Sequence, residues 1–187
     1  MTAARPDELP GPHVHIVPMR RRHLRSVLRI ESQVYPRPWS LGAFLSEMGQ
    51  RTSRFYVVAK EGGAVVGFAG LMVTLDEGHV TTIAVDPREQ RRGVGARLLL
   101  TLSRAAIARG CHGLTLEVRV SNEPAQAMYR RFGYAPAGIR KGYYAETNED
   151  ALVMWAHDVD LPAYAERLDA IEAALAGTTS HEEGMPL

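Results

Sequence analysis

The chain has 187 residues, 45% hydrophobic and 23% charged, with a formal net charge of +1. That is enough apolar material for one domain with a real core, and it excludes the charge signature of a polyanion binder or an acidic tail. A single cysteine, Cys111, rules out an internal disulfide and a cysteine-rich metal site, the seven histidines fall into no metal-ligand spacing, and no apolar run is long enough for a membrane span or a signal peptide.

Residues 1–12 carry three prolines and a glycine and few apolar groups, which predicts a disordered lead. Alternation over 13–17 predicts a first strand; its two histidines read as a solvated face rather than a metal pair. Residues 22–34 show helical spacing of Leu24, Val27 and Leu28, with Arg21, Arg25 and Arg29 as a basic stripe on another side. The prolines at 36 and 38 stop that helix, and Ser40 is a good N-cap for a short helix to Met48. Residues 55–60 and 64–75 form a hairpin across Glu61-Gly62-Gly63, followed by a strand over 79–85. A leucine-rich helix then runs to about Arg109, with Gly110 closing it.

Residues 114–120 alternate strictly, with Leu114, Leu116, Val118 and Val120 pointing one way and Thr115, Glu117 and Arg119 the other. Ser121 or Asn122 caps the next helix, Pro124 sits in its first turn, and Gly133 stops it. The last strands are 134–144 and 152–158, joined by an acidic loop. Pro162 opens a helix over 163–176, and 177–187 reads as a disordered tail. Hairpins together with a strand-helix-strand crossover predict an α/β (α+β) domain over 13–160, its helices flanking a mixed, mostly antiparallel sheet of six to seven strands, with the 161–176 helix packed on or beside it.

The chemistry begins where Asp86 and Pro87 end a β-branched strand. Gln90-Arg91-Arg92-Gly93-Val94-Gly95 follows and runs directly into a helix. Two glycines at a helix start let backbone approach a ligand closely. The free first-turn N–H groups and the helix dipole favour an anion there, and Arg91 and Arg92 add charge. A dinucleotide fingerprint needs a third glycine, and a P-loop needs Gly-Lys-Ser/Thr; neither is present. The loop reads as a seat for phosphates.

Two residues suit proton transfer. Glu117 is the one carboxylate in an otherwise apolar or basic strand, a candidate general base whose partial burial predicts a raised pKa; a salt bridge to Arg119 or a solvated face is the plainer reading. Tyr129, beside the apolar face of its helix, is a candidate general acid, since a phenol of pKa about 10 stays protonated at neutral pH. A packed core tyrosine is the plainer reading there.

The Gln/Arg-x-x-Gly-x-Gly loop after Ile83-Ala84-Val85-Asp86-Pro87, and Asn122-x-x-Ala-x-x-x-Tyr-x-x-x-Gly-Tyr134, resemble the cofactor motifs of the GNAT acyltransferase superfamily. Leu116 to Asn122, Arg140 to Tyr144 and the Pro38-Trp39-Ser40 turn are similar to its ribosomal-protein alanine N-acetyltransferases. The resemblance implies a GNAT fold. It implies acetyl-CoA as co-substrate without a metal, held by the backbone of Ile83, Ala84 and Val85, by Arg91, Arg92, Gly93, Val94, Gly95 and Ala96, and by Asn122. It implies Glu117 as base, Tyr129 as acid and, as acceptor, the N-terminal alanine of a ribosomal protein, small-subunit protein eighteen. Trp39, Tyr143 and Tyr144 are candidates for lining a peptide groove, and Glu146, Glu149 and Asp150 for meeting a basic peptide.

An α-amino acceptor also fits the energetics. With a pKa of about 7.7–8.0 against about 10.4 for lysine, it asks about 3.4 kcal/mol less for deprotonation. Direct nucleic-acid or membrane binding is not expected, and a cytoplasmic monomer or weak dimer is. A GNAT enzyme for lysine side chains or small amines, and a non-catalytic acyl-CoA-binding module, remain as alternatives; activity on free amines or binding without transfer separates them.

Overall fold

The computed structural model describes residues 11–187; the lead expected over 1–12 therefore lies outside the described residues except for Gly11 and Pro12. Strand β1 (His13–Pro18) is followed by a 3-10 turn over Arg21–His23 and helix α1 (Leu24–Val34). Ser40 accepts the Ala43 N–H as the N-cap of α2 (Leu41–Gly49). β2 (Arg54–Glu61) and β3 (Ala64–Thr74) form a hairpin whose turn needs Gly62 and Gly63 at φ 55° and 86°. β4 (Glu77–Val85) leads to α3 (Val94–Ala108), and β5 (Gly113–Arg119) to α4 (Glu123–Arg131). β6 (Ala135–Tyr144), β7 (Glu149–His157), α5 (Pro162–Ala173) and β8 (Thr178–His181) complete the chain.

The sheet has eight strands in the order β6-β7-β5-β4-β3-β2-β1-β8. Its described pairings are antiparallel except β4–β5 and β1–β8. The eighth strand corrects the count of six to seven, and it lies in the segment expected to be a disordered tail. Thr-Thr-Ser-His carries no apolar alternation of its own. It is held by partners distant in sequence: His13 and His15 bond Thr178 and Ser180, Thr101 bonds His181, and Glu182 pairs with Arg20.

Helices cover both faces. Leu98, Leu99 and Leu102 of α3 pack with Leu114, Leu116 and Val118 of β5 and with Tyr164, Leu168 and Ile171 of α5 in the larger core. On the other face, Val27, Ile30 and Phe44 of α1 and α2 pack on Val58, Phe68 and Ala84 in a second core. β5 turns Thr115, Glu117 and Arg119 toward that second face, where they stay partly exposed. The alternation read from 114–120 is thus the boundary between core and groove.

β4 and β5 pair in parallel only from Glu77–Gly113 to His79–Thr115. Just beyond, β4 bulges: Gly70 faces Thr82 and Leu71 faces Val80, leaving Thr81 extra. A bulge bends its strand, so the two parallel strands part and a gap opens between their carboxyl ends. In α/β sheets such a parting at the carboxyl ends of parallel strands is where ligands bind.

Candidate active site

The gap is lined by β4 backbone that hydrogen-bonds to neither neighbouring strand. Asp86 N–H donates to Val66 O, so by the two-residue period of a strand the main chain of Ala84 and Thr82 also points to β3. That of Ile83 and Val85 points into the gap. Ala84 therefore differs from its two neighbours: its main chain pairs with Phe68 and its methyl is in the second core. The carbonyl of Ile83 accepts the Tyr35 hydroxyl at 2.7 Å.

Past β4, Asp86 accepts from Arg29 and Arg88 and starts a 3-10 turn over Pro87–Glu89. Those guanidinium groups hold its carboxyl well below the usual range. Gly93 is the N-cap of α3 at φ 78° and brings no side chain to cap it. The first-turn N–H groups of Val94, Gly95 and Ala96 have no helical partner, a donor set suited to a diphosphate. Arg91 is exposed, but Arg92 pairs with both Glu61 and Glu89, so its charge is largely spent inside the protein. The sequence does not reveal this, because Glu61 lies 31 residues away.

Glu117 lies two residues past the last β4–β5 pair. His79 Nε2 stands 2.6 Å from its Oε2, and Arg140 Nη2 stands 3.3 Å from its Oε1. The expectation of a raised pKa is corrected. The hydrogen bond from His79, aided by Arg140, holds the Glu117 carboxyl below the usual range and outweighs burial. Arg119 does not pair with Glu117; it is turned to Glu146 and Glu149. Those acids, and Asp150 on Lys141, are thus engaged within the protein rather than free to meet a basic peptide. A cleft of about 290 Å³ opens here, lined by His79, Thr115, Glu117, Arg140 and Trp155 among others.

Tyr129 of α4 is buried, its ring 5.8 Å from that of Tyr134. Burial, and the neighbouring Tyr35 and Tyr144 phenols, push its hydroxyl far above the usual phenol range, so it stays protonated at any working pH. The Tyr144 phenol helps to raise Tyr129, and the Glu117 carboxylate helps to raise Tyr144. Arg119 lies 3.9 Å over the Tyr144 ring, and Tyr143 stacks edge-on to Tyr144 at 5.1 Å. Glu117, Tyr143 and Tyr144 form one cluster through Arg140, which lies 5.7 Å from the Tyr143 ring, and Tyr129 is coupled to it electrostatically by Tyr144. Trp39 stands apart, its ring tilted on Phe44 at 5.3 Å. Asn122 accepts the Ala125 N–H and serves as the N-cap of α4. His79, Tyr35 and Arg140 join the cluster unforeseen. The β4–β5 register, the fold of α1 onto β4 and the β6–β7–β5 pairings bring them there, and none of these leaves a local pattern in the sequence.

The model of the Acetyltransferase (GNAT) family matches residues 24–134. The chain is 40% identical over 133 residues to the [Ribosomal protein bS18]-alanine N-acetyltransferase of Escherichia coli (strain K12), covering 70% of this chain and 88% of that one. It is 37% identical over 148 residues to the N-alpha-acetyltransferase RimI of Mycobacterium tuberculosis, covering 75% and 90%. The crystal structure of the ribosomal-protein-S18-alanine N-acetyltransferase from Escherichia coli matches with a TM-score of 0.71 at 35% identity, over 78% of this chain and 94% of that one. With an open β4–β5 gap beside a helix start whose free N–H groups suit an anion, the chain belongs to the GNAT family and is an acetyl-CoA-dependent N-acetyltransferase.

Proposed function

We propose that the enzyme acetylates the N-terminal alanine of a ribosomal protein, the bS18 type, with Glu117 as base and Tyr129 as acid. The observation that carries this reading is the carboxylate at the open gap, fixed by His79 and Arg140, with the buried Tyr129 phenol kept protonated. The names of relatives at 37–40% identity support the acceptor.

When bound, acetyl-CoA supplies the thioester carbonyl and a thiolate leaving group. Val94, Gly95 and Ala96 offer N–H groups to its diphosphate, with Gly93 allowing close approach and Arg91 adding charge. Ile83 and Val85 offer backbone to the pantetheine arm. The methyl-lined flank of Ala84 and the Asn122 cap shape the gap and the start of α4 rather than contacting the ligand by side chain. Tyr143 and Tyr144 line the peptide side, with Trp39 supporting the wall through Phe44.

Glu117, held below the usual carboxylate range, is too weak to strip a resting ammonium. An α-amine does not require it to: at pH 7 about a tenth is already neutral. Its nitrogen becomes strongly acidic only as the N–C bond forms, and a weak, well-oriented carboxylate suffices to take that proton. Tyr129 gives its proton to the departing sulfur. No metal is needed for any of these steps.

The test is mass spectrometry after incubation with acetyl-CoA and two peptides. One carries a free N-terminal alanine from the ribosomal protein; the other has a blocked terminus and an added lysine. Modification of the first alone supports the reading. Modification of the second alone makes this a lysine enzyme, and modification of neither turns the search to small amines.

A further inference from the structure

Arg97 lies one turn into α3, directly behind the phosphate-type loop. Its side chain is only 1% exposed. A buried charge is costly unless fully hydrogen-bonded, and usually it is ion-paired as well. Here Glu61 and Glu172 act on the guanidinium only at longer range. Its donors go instead to neutral acceptors: Ala176 O at 2.5 Å, Thr179 Oγ1 at 2.9 Å and Arg92 O at 3.4 Å. Two of these lie in the segment after α5, and the third is in the loop itself. Gly93 packs on the same group, since a Cβ there would stand 2.6 Å from Arg97 Nη1 and 3.1 Å from Leu175 Cδ2. One turn further along α3, Thr101 bonds His181 at 2.9 Å, which pins the far end of the same segment. The whole segment lies beyond the residues that match the family model.

We propose that Arg97 is a positioning residue for the cofactor's diphosphate, and that residues 175–181 are the strap that holds it against the loop. Carbonyl and hydroxyl acceptors orient the guanidinium without cancelling its charge. In a low-dielectric interior that charge adds to the field of the α3 N-terminus. Arg92, on the surface, is neutralised by Glu61 and Glu89 and cannot supply the same field. Because the strap also bonds the loop through Arg97, ordering one orders the other, and the coupling runs both ways. The inference rests on the reading that acetyl-CoA binds at 91–96.

The test compares Arg97→Met, Arg97→Lys and Thr179→Val in the full chain, with acetyl-CoA and with S-acetylpantetheine, which lacks the diphosphate. Arg97→Met is expected to raise the KM for acetyl-CoA by about tenfold, Arg97→Lys and Thr179→Val by about two- to fivefold, with kcat and the peptide KM little changed. The loss in kcat/KM with S-acetylpantetheine is much smaller. In the wild type, CoA slows amide hydrogen exchange across Thr178–His181 as well as in the loop. Equal losses with both thioesters, or an acetyl-CoA KM within twofold of wild type in the variants, overturn the proposal. If Arg97→Met does not fold, Thr179→Val decides by the same criterion. A wild type that fails to bind CoA at the loop defeats the underlying reading instead, and is seen before any variant is made.

Discussion

His79 and Glu117 stand on neighbouring parallel strands and meet through a 2.6 Å hydrogen bond just where those strands part. An ionised carboxylate only accepts, so the proton of that bond is on His79 Nε2. The pair therefore fixes both the imidazole tautomer and the direction of the carboxylate. With Arg140 on the other oxygen, Glu117 has one orientation toward the gap.

Glu117→Gln is expected to lower kcat about 100-fold or more with the acetyl-CoA KM unchanged. His79→Ala is expected to cost about fivefold and to act through Glu117, so the double variant is no slower than Glu117→Gln alone. The pH sign follows from the depressed carboxyl. In the wild type the stabilisation that comes with the ionised form is complete above the ordinary carboxylate pKa, about 4.3, and is lost as pH falls through the lower folded value. Removing His79 moves that loss to higher pH. Steady-state kcat and urea titrations from pH 3.5 to 8 read both, and a His79→Ala profile that overlays the wild type removes the coupling.

Tyr129→Phe keeps the ring packed against Tyr134 and deletes only the hydroxyl. Stability is expected to change by less than about 1 kcal/mol, because the ring packing is kept. Turnover is expected to fall about 10- to 100-fold with a slow, chemistry-limited peptide. Single-turnover kinetics show whether the loss is in the chemical step. An unchanged chemical rate removes Tyr129 from proton transfer.

What could be read in the sequence is what its local pattern carries. Gln90 to Gly95, read with the strand before them and the leucine-rich helix after them, announce a glycine N-cap and free helix donors, since these are properties of neighbours in the chain. Glu117 is legible because strict alternation leaves one carboxylate on the polar side of β5. Its environment is not legible, because His79 is 38 residues away and meets it only through strand register. Partial burial, the one cue the sequence offers, therefore points its pKa the wrong way. Tyr35 reaches Ile83 across 48 residues, and Arg97 reaches Thr179 across 82. β8 is the extreme case: four polar residues become a strand because β1 and α3 supply every partner.

The two loop glycines are expected to respond oppositely to alanine. At Gly93, φ is 78° and the new Cβ would meet Arg97 Nη1 at 2.6 Å. The left-handed backbone alone costs about 1 kcal/mol, and displacing a buried guanidinium adds to it, so a loss of about 2 kcal/mol is expected. At Gly95 a Cβ meets Met128 Sδ at 3.6 Å and Val85 Cγ2 at 3.7 Å, ordinary contacts, inside a helix. Gly95→Ala is expected to be neutral or to stabilise by about 0.5 kcal/mol. Urea midpoints at constant slope measure both. Equal effects at the two sites contradict the packing described for Gly93.

Glu31, at the end of α1, is 2% exposed, and only one of its oxygens is used: Oε1 accepts the Trp39 N–H at 2.9 Å, whereas Oε2 is buried without a partner among the described residues. Burial pushes its carboxyl above the usual range. For a raised acid, the folded state is penalised progressively as pH rises from the ordinary value, about 4.3, to the folded one, and by a constant amount above it. Glu31→Gln retains an acceptor for Trp39 and removes the charge, so it is expected to stabilise by about 1 kcal/mol at pH 8, with the gain shrinking as pH falls through the raised folded value and gone below about 4.3. Denaturant titrations of both proteins across that range measure the difference. A gain that does not vary with pH shows that the buried carboxyl is not what destabilises this end of α1. A loss at pH 8 shows that its second oxygen has a partner that an amide cannot keep.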